Sequence, residues 1–526
     1  MALARHRRDT GTKLADVGAA KVRHVLNYGK HTSTHVRRYE QYTTRKRDRS
    51  DKGATRLLLN LVYIARAFGK REKEKMAVSK NERTHSLAAL HNSREMIPFD
   101  RARELLLEQC KTTDSELIPL SEAVDRILFT DVLAKEDRPS RDLSSRDGYA
   151  FKASDGSIAP GSCDNPSIAP GSCDIGGKKS ECGTSESRVL VGEVRAGGNP
   201  IDLKANGLKN SAVRIFTGAP LPLGMDTVLM QEDASVEGNR LSIPDHYPRD
   251  AFVRKAGSDL QKGERIIEKG TRLNPGHLGI LASEGALFVE AYKKPRVAYF
   301  ISGDEVVDAA SQPCPEGKVR NSNAWIVDSL IKEAGGVPLY LGCIEDSDKA
   351  LRETFARAPS CDLLLSIGGA SVGDYDYVLP TAMDMGYEIV FSRIALKPGK
   401  PTIFGVKEGQ SFIGLPGNPV SCFVVFKLLL RPFLLKSGGA RNIDFQKSKA
   451  FLQGEEKKEK SRRYFMPGRI EESPQGQFLA MPSKRRESSS LSSLSEARVL
   501  LVLPEGRSKM EKGEAVEVVH LDRLEV

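Results

Sequence analysis

A run of glycines, hydroxyl groups and carboxylates follows an apolar stretch in the C-terminal half of the chain. The sequence SIGGASVGDYD comes directly after DLLL at 362–365. Its glycines Gly368, Gly369 and Gly373 let backbone N–H groups approach an anion, and a following helix adds positive potential at its N-terminus. Its two aspartates offer the hard oxygens that Mg²⁺ prefers. The run therefore predicts a loop that holds a phosphate-bearing ligand and a divalent ion.

Three further loops in the same half of the chain carry polar residues after apolar segments. SGDE contains Asp304 and Glu305, LKPGKP contains Lys397 and Lys400, and GLPGNP at 414–419 is rich in turn residues. Lysine ammonium groups are point charges that suit phosphate or another oxyanion. Together with the carboxylates, these loops predict metal-assisted phosphoryl chemistry.

Each loop also has a purely structural explanation. GLPGNP alone is typical of a turn, Asp374 is a candidate helix N-cap, and Lys397 is a candidate solvated side chain. The chain contains no G-x-x-x-x-G-K-[ST] pattern and no G-x-G-x-x-G after the first strand of this half. Composition and spacing alone therefore lead only to an α/β enzyme with a phosphate-bearing ligand and a candidate Mg²⁺ site.

The elements that position these loops are strands and helices in alternation from residue 295 onward. RVAYFIS, PLYLGCI, DLLLSI and SFIGL are predicted strands, and segments such as NAWIVDSLIKEAGG and KALRETFARA are predicted helices. This alternation predicts a doubly wound, mostly parallel sheet covered on both faces. Ligands bind at the carboxyl ends of strands in such sheets, and the four loops lie at or near those ends.

Shorter elements flank this α/β region. IPFDRARELLLEQC predicts a helix with Asp100 as its N-cap, and LSEAVDRILFTDVLA at 120–134 predicts a second short helix that runs into a strand. Short β-like segments between 188 and 250 predict a β-rich unit, and the segments after 438 predict a small β-barrel or sandwich. The octapeptide SIAPGSCD occurs twice between 157 and 174, which predicts an expanded surface loop.

The positive charge of the chain belongs to its N-terminal extension. The 526 residues carry a formal charge of +11, but residues 1–94 hold 23 Lys/Arg against 8 Asp/Glu, so the remainder holds 57 against 61. A body with a charge of −4 argues against nucleic-acid binding. The Arg-rich extension fits either an organelle transit peptide or a disordered basic tail, and a helix-like patch at 56–68 suits neither, so the alternatives stay open.

Cysteine spacing and hydropathy indicate the compartment. The eight cysteines form no C-x-x-C pair, which predicts reduced intracellular thiols rather than a zinc site or a disulfide framework. The longest apolar stretch, CFVVFKLLL, is much shorter than the roughly 20 residues that a membrane helix needs, so no membrane span is predicted. We expect a cytoplasmic location, with organelle targeting by the extension left open.

Seven ordered motifs resemble one known family. They are SRDGYAF, RIFTGAPLPLGMDTVLMQED, SGDEVVD, VRNSNAWIV, SIGGASVGDYDYV, LKPGKPTIFG and GLPGNPVSCFVVF. Their order and spacing are similar to the molybdopterin molybdenumtransferases, the family of bacterial MoeA and of the gephyrin E domain. The resemblance covers roughly residues 95–526.

The resemblance implies a specific reaction and specific partners. Members of this family are homodimers that take adenylylated molybdopterin and molybdate, cleave off AMP with Mg²⁺, and leave molybdenum on the pterin dithiolene. The chain lacks the adenylyltransferase domain that gephyrin and plant members carry, so a separate adenylyltransferase is expected as pterin donor. Apo-molybdoenzymes are expected as acceptors. The alternative is a catalytically weak member that acts as a pterin-binding scaffold.

The resemblance also implies roles for individual residues. It assigns catalysis to Asp147, Ser371, Asp376 and Asp304, with Asp147 expected to reach the cleft from the other subunit. It implies metal ligation by Asp304, Glu305, Asp374 and Asp376. It implies ligand binding by Thr217, Gly218, Gly368, Gly369, Gly373, Lys397, Lys400, Pro416, Asn418, Arg462 and Ser488.

The chain departs from the family pattern at two of these places. Asn321 stands where the family usually has an aspartate, which removes one carboxylate and is expected to weaken metal binding. The sequence ESSSLSS replaces a glycine-containing turn near Ser488, so the assignment of that serine is good only to a residue or two.

Combined with the resemblance, the patterns predict a multidomain α/β protein whose central domain is MogA-like. The predicted regions are a basic extension (1–94), an elongated dimerisation domain (95–142 with 250–294), a small β-rich domain (143–249) with a loop expansion (154–187), an α/β molybdopterin-binding domain (295–437) and a C-terminal β-barrel-like domain (438–526).

Overall fold

The computed structural model describes residues 96–153, 186–203, 208–244, 247–369, 377–485 and 487–521. The basic extension and the octapeptide repeat lie outside these residues. So do residues 370–376 of the predicted glycine loop, which include the candidate site residues Ser371, Gly373, Asp374 and Asp376.

The first described region contributes one helix and three short strands. They are α1 (Phe99–Glu108), β1 (Ser115–Pro119), β2 (Val132–Leu133) and β3 (Leu143–Ser144). The helix predicted near 120–134 is wrong, because only a 3₁₀ turn forms over Leu120–Glu122. Asp125 has a φ of 63°, which an α-helix cannot continue through. The predicted N-cap Asp100 lies inside α1, and Pro98 precedes the helix.

A β-rich unit follows, built on a single six-stranded sheet. Its strands are β4 (Gly148–Phe151), β5 (Glu186–Val194), β6 (Ser211–Ile215), β7 (Thr227–Met230), β8 (Ser235–Glu237) and β9 (Arg240–Ile243). The strand order is β7-β4-β6-β5-β9-β8. The strand β4 lies between β7 and β6 and is buried along its whole length.

The chain then returns to the first region and pairs with it. The elements are β10 (Val253–Arg254), β11 (Arg265–Ile267), α2 (Pro275–Ser283) and β12 (Phe288–Tyr292). Antiparallel ladders join β3 to β10, β2 to β11 and β1 to β12. The β-rich unit is therefore inserted between two halves of one structure.

The α/β region begins at β13. Its elements are β13 (Arg296–Ser302), β14 (Val306–Val307), β15 (Val319–Arg320), α3 (Asn323–Glu333), β16 (Val337–Ile344), α4 (Asp348–Arg357), β17 (Leu363–Ile367), α5 (Val378–Asp384), β18 (Glu388–Phe391), β19 (Leu396–Lys397), β20 (Ile403–Lys407), β21 (Gln410–Leu415), α6 (Pro419–Val425), a π-helical turn (Phe426–Leu430) and α7 (Arg431–Ser437).

The sheet of this region has the order β16-β13-β17-β21-β20-β18. The first four strands are parallel, and β20 and β18 add antiparallel partners at one side. Alternate residues of β13 face opposite cores: Tyr299 packs with α3, α6 and α7, and Phe300 packs with α4 and α5. The predicted doubly wound, mostly parallel sheet is therefore confirmed.

The C-terminal region closes into a five-stranded barrel. Its elements are β22 (Lys447–Leu452), β23 (Glu456–Lys457), β24 (Arg463–Glu472), β25 (Phe478–Pro482), α8 (Ser492–Ser495), β26 (Val499–Leu503), β27 (Lys509–Met510) and β28 (Ala515–His520). The ladder runs β24-β25-β22-β28-β26 and returns to β24. The predicted β-barrel and multidomain α/β class are confirmed, and the domain boundaries stay a prediction. No helix among the described residues is long and apolar enough to cross a bilayer.

Candidate active site

Three of the predicted loops meet at the carboxyl edge of the α/β sheet. The N–H of Gly368, just after β17, donates to the carbonyl of Leu415 at the end of β21 (3.0 Å). A Cβ built on Gly368 would lie 2.1 Å from the carbonyl oxygen of Ser302 at the end of β13, and one on Gly417 would lie 3.4 Å from the Cα of Gly368. The ends of three neighbouring strands therefore form one site.

The first two glycines of the predicted glycine loop are required by packing. Gly368 has a φ of 91° and Gly369 a φ of 60°, in the region that favours glycine. A Cβ on Gly369 would lie 2.5 Å from a methyl group of Val378, so side chains are excluded at both positions. These glycines let the strand ends approach each other, and their predicted role in binding phosphate stays a prediction.

Carboxylates gather beside these strand ends. Asp304 accepts the backbone N–H of Asp346 (3.1 Å), and the Asp346 carboxylate accepts the hydroxyl of Ser302. Burial, together with the negative charges of Asp304 and Glu305, raises the pKa of Asp346. Sequence reasoning missed Asp346, although its position just after β16 places it at the same edge of the sheet. A cavity of about 490 Å³ opens beside this group.

The carboxylates suit Mg²⁺ only together with other ligands. Within the described residues no three His, Cys, Asp or Glu side chains are arranged to hold a metal ion alone. Mg²⁺ usually keeps several waters and uses one or two protein carboxylates plus substrate phosphates. Asp304 and Glu305 are exposed and meet that requirement, and Asp374 and Asp376 lie outside the described residues.

A second group of predicted residues joins the α/β region to the barrel. Parallel pairing of β19 with β24 sets Lys397 opposite Tyr464, and the Lys397 ammonium lies 4.8 Å from the centre of that ring. Arg462 immediately precedes β24, and Lys400 lies in the same loop as Lys397. We call Lys397, Lys400 and Arg462 the basic cluster.

A carboxylate that sequence reasoning missed lies against the basic cluster. Arg462 Nε donates to Glu459 Oε2 (2.9 Å), and the Glu459 N–H donates to the Tyr464 hydroxyl (3.0 Å). The hydrogen bonds from Arg462 lower the pKa of Glu459, and the charges of Lys397 and Lys400 lower it further. The Glu459 carboxylate therefore lies beside the three cations that are predicted to bind an oxyanion.

The remaining predicted residues of the barrel side lie at the start of α6. The Ser488 carbonyl accepts the N–H of Val420 in the first turn of α6 (3.0 Å). Asn418 is the N-cap residue, and its side chain makes no capping hydrogen bond. Pro416 is buried just before it. The serine-rich loop of the barrel therefore contacts the third strand-end loop.

Asp147 and Thr217 form a separate group at the ends of β4 and β6. The Asp147 carboxylate accepts both the backbone N–H and the hydroxyl of Thr217, each at 2.8 Å. These two bonds, the backbone one first, lower the pKa of Asp147. Gly218 has a φ of 78° and donates its N–H to Ser144 (2.8 Å). The hydrogen bonds of this group stay within the β-rich unit and the adjoining β3.

Asn321 has a structural role that the sequence did not indicate. Its side-chain oxygen accepts the N–H of Ala324 in the first turn of α3 (3.0 Å), and its amide group donates to the Tyr340 hydroxyl (2.9 Å) and to Cys343 Sγ (3.3 Å). The side chain is buried. The amide therefore fastens α3 to the neighbouring edge strand β16.

Comparison with known proteins agrees with this arrangement along the whole described body. Residues 97–285 match the MoeA N-terminal region (domains I and II), 298–436 match a probable molybdopterin binding domain, and 449–521 match the MoeA C-terminal region (domain IV). The molybdopterin molybdenumtransferase of Bacillus subtilis is 32% identical over 442 residues, which cover 81% of this chain and 94% of that protein. The chain belongs to the molybdopterin molybdenumtransferase family.

Two further relatives support the same assignment. The molybdopterin molybdenumtransferase of Haemophilus influenzae is 30% identical over 82% of this chain and 100% of its own length. A crystal structure of the molybdopterin biosynthesis MoeA protein from Pyrococcus horikoshii superposes with a TM-score of 0.67 at 28% identity, covering 81% of this chain and all of that one. The expected family, and the expectation that the chain is an enzyme of it, are confirmed.

Proposed function

We propose that the chain transfers molybdenum to molybdopterin, using adenylylated molybdopterin and molybdate as substrates and releasing AMP. One observation carries this proposal. The barrel contacts the α/β region at two of the predicted loops: the Ser488 carbonyl accepts the N–H of Val420 at the start of α6, and the β19 strand that carries Lys397 pairs with β24. The strand ends would bind the phosphoanhydride of adenylylated molybdopterin together with a divalent ion. The basic cluster would bind molybdate, which is a tetrahedral dianion.

The charge of each residue determines which ligand it would bind. Asp304 and Glu305, with Asp374 and Asp376, would hold Mg²⁺, which would keep some of its waters. When bound, this ion supplies positive charge that neutralises the phosphate oxygens of the adenylylated substrate. Arg462, Lys397 and Lys400 bind the molybdate dianion through charge-assisted hydrogen bonds.

We further propose a homodimer in which Asp147 acts on the ligand of the other subunit. Its carboxylate is ionised and oriented by Thr217, yet its hydrogen bonds remain in the β-rich unit. Leu117, Leu287 and Phe288 are exposed apolar side chains on or next to the antiparallel pair β1–β12, and a second copy would cover them. A separate adenylyltransferase supplies the pterin, and apo-molybdoenzymes receive the product.

Nothing in the described residues favours the alternative of a scaffold protein. Asn321 was its only support in the sequence, and its side chain is engaged in holding α3 to β16. The residue therefore has a structural reason to be an amide.

AMP release from adenylylated molybdopterin tests the proposal. We expect wild-type protein to release AMP in a reaction that needs both Mg²⁺ and molybdate, and Asp304→Asn and Asp376→Asn to lose most of that activity. Glu353→Gln is the matched control, because it removes a carboxylate that pairs with Arg357 on the surface of α4. Tight pterin binding without AMP release by the wild type would instead support the scaffold.

A mixing experiment tests the shared site. Asp147→Ala and Asp376→Ala are each expected to be inactive alone. If each site takes Asp147 from one subunit and Asp376 from the other, a random 1:1 mixture regains about a quarter of the wild-type activity, since half of the dimers are mixed and each has one intact site. A mixture that stays inactive would mean that both residues act within one subunit.

A further inference from the structure

A second large cavity lies at the opposite edge of the α/β sheet. It has a volume of about 720 Å³ and lies where β13, β17 and β21 begin. Its walls come from the α1–β1 connection, the segment before β13, the turn before β17 and the β20–β21 hairpin. We call it the basic cleft, after its cationic side chains Lys111, Lys293, Lys294, Arg296 and Lys407.

The basic cleft is separate from the candidate active site. Parallel strands place all their first residues at one edge of the sheet and all their last residues at the other. The five residues of β17 alone span about 16 Å, at roughly 3.3 Å per residue. A ligand in the cleft therefore touches none of the strand-end loops described above.

The charges in the cleft are not balanced. Its five cations face three carboxylates, and two of these are already engaged. Asp362 accepts the backbone N–H of Arg296 (2.7 Å), and Asp114 lies 3.8 Å from the ammonium of Lys293. For Lys111, Lys294, Arg296 and Lys407, the described residues provide no carboxylate within ion-pair distance.

Other cations on the described surface do have carboxylate partners. Elsewhere, pairs such as Lys332 with Asp328 (2.6 Å) and Arg357 with Glu353 (3.4 Å) match cations with nearby carboxylates. Cations that line a concave surface reinforce one another, because the surrounding protein limits their screening by water. The cleft therefore has the electrostatic character of an anion-binding site.

Two of the cations have contacts at or near the β20–β21 hairpin. The Lys111 ammonium lies over the tip of the β20–β21 hairpin, so closely that a Cβ on Gly409 would be 2.6 Å from it. Gly409 has a φ of 88° and so provides a turn without a side chain beneath that ammonium. Lys407 on the same hairpin lies 5.9 Å from the centre of the Tyr387 ring.

From these observations we infer that the basic cleft binds a phosphate-bearing small molecule with at least two negative charges. Ligand pockets for small molecules generally measure about 300–1,000 Å³, so the cleft has room for a nucleotide or a diphosphate. Lysines, which predominate here, suit phosphate as point charges. This inference stands independently of the function proposed for the other edge of the sheet.

Calorimetric titration of the full chain tests the inference. The background variant carries Lys397→Gln and Lys400→Gln, so that the basic cluster does not compete for the ligand. Inorganic pyrophosphate and AMP are titrated separately at low salt. Binding of pyrophosphate alone would identify the phosphates as the recognised group, and tighter binding of AMP would add a contribution from the nucleoside. The cleft variant described next assigns this binding to the basic cleft or to the strand-end loops.

The decisive comparison adds Lys111→Gln and Lys294→Gln to that background. Losing two cations is expected to weaken binding by about tenfold or more at low salt, and the difference should shrink as salt is raised. Lys332→Gln is the control, because its lysine is paired on the surface of α3. Unchanged affinity in the double variant, or equal weakening in the control, would overturn the inference. An unaltered melting temperature verifies that each variant is folded.

Discussion

Replacing Glu459 by glutamine should strengthen the binding of molybdate. Glu459 holds Arg462 through a 2.9 Å hydrogen bond and lies in the field of Lys397 and Lys400. An incoming oxyanion must compete with this carboxylate for the same donors and is also repelled by its charge. Glutamine keeps the size of the side chain and one acceptor oxygen but removes the charge.

The size of the effect follows from the exposure of the pair. The Glu459 side chain is 52% exposed and that of Arg462 is 16% exposed, so water screens the interaction substantially. Ion pairs of this kind are worth about 0.2–1 kcal/mol. With Arg462 largely buried we take about 1 kcal/mol, which corresponds to roughly a fivefold lower dissociation constant.

Equilibrium binding of molybdate without pterin measures this effect independently of catalysis. Glu471→Gln is the matched control, since it removes a carboxylate that accepts from Arg469 (2.8 Å) on the same strand β24. We expect Glu459→Gln to bind more tightly than both the wild type and the control, with a smaller difference at high salt. Equal or weaker binding by Glu459→Gln would refute the view that Glu459 competes with the substrate anion.

Two further predictions concern pH. Thr217→Val removes one of the two hydrogen bonds that lower the pKa of Asp147, so that pKa should rise toward its ordinary value; an NMR titration of the carboxyl group checks this, and an unchanged pKa would contradict it. Arg463 donates hydrogen bonds to both Asp100 and Glu505 at 2.8–2.9 Å. Burial alone would raise the pKa of Glu505, but the hydrogen bonds and the charge of Arg463 have the larger combined effect and lower that pKa below its ordinary 4.5. This contribution is fully present above pH 4.5 and is lost as the pH falls through the lower folded-state pKa. Arg463→Lys keeps the charge but loses the two-pronged hydrogen bonding, so it should reduce the free energy of unfolding by about 0.5–1 kcal/mol near neutrality and by less in acid, as measured by urea denaturation; an equal loss at both pH values would contradict the role of Glu505.

The parts of the site that the sequence predicted are those fixed by strand ends. Short apolar runs such as DLLLSI, bounded by turn residues and alternating with helical segments, indicate buried strands of a parallel sheet, and polar residues directly after them gather at one edge of that sheet. Asp304, Gly368 and Asn418 are therefore placed by this alternation. The two antiparallel strands β18 and β20 were not predicted, because their short segments lack the helix between them that signals a parallel crossover.

The parts that were missed depend on contacts between distant segments. Glu459 lies in the charged run GEEKKEK, where nothing distinguishes it from its solvated neighbours until β24 pairs with β19. Asp346 becomes part of the site only when Ser302 and Asp304 reach it from β13. Asn321 replaces a carboxylate of the family pattern. The role of its amide follows only from its hydrogen bond to Tyr340 on a neighbouring strand.

The ladder between β3 and β10 has a consequence for how this protein can change. The chain leaves for the β-rich unit after Ser144 and comes back at Val253, and these two residues are direct partners. A unit whose ends are adjacent can be lengthened, exchanged or excised without moving the segments that flank it. The duplicated octapeptide falls inside that unit, between β4 and β5. Additional residues at this place in the sequence therefore leave the ladder between β3 and β10 intact.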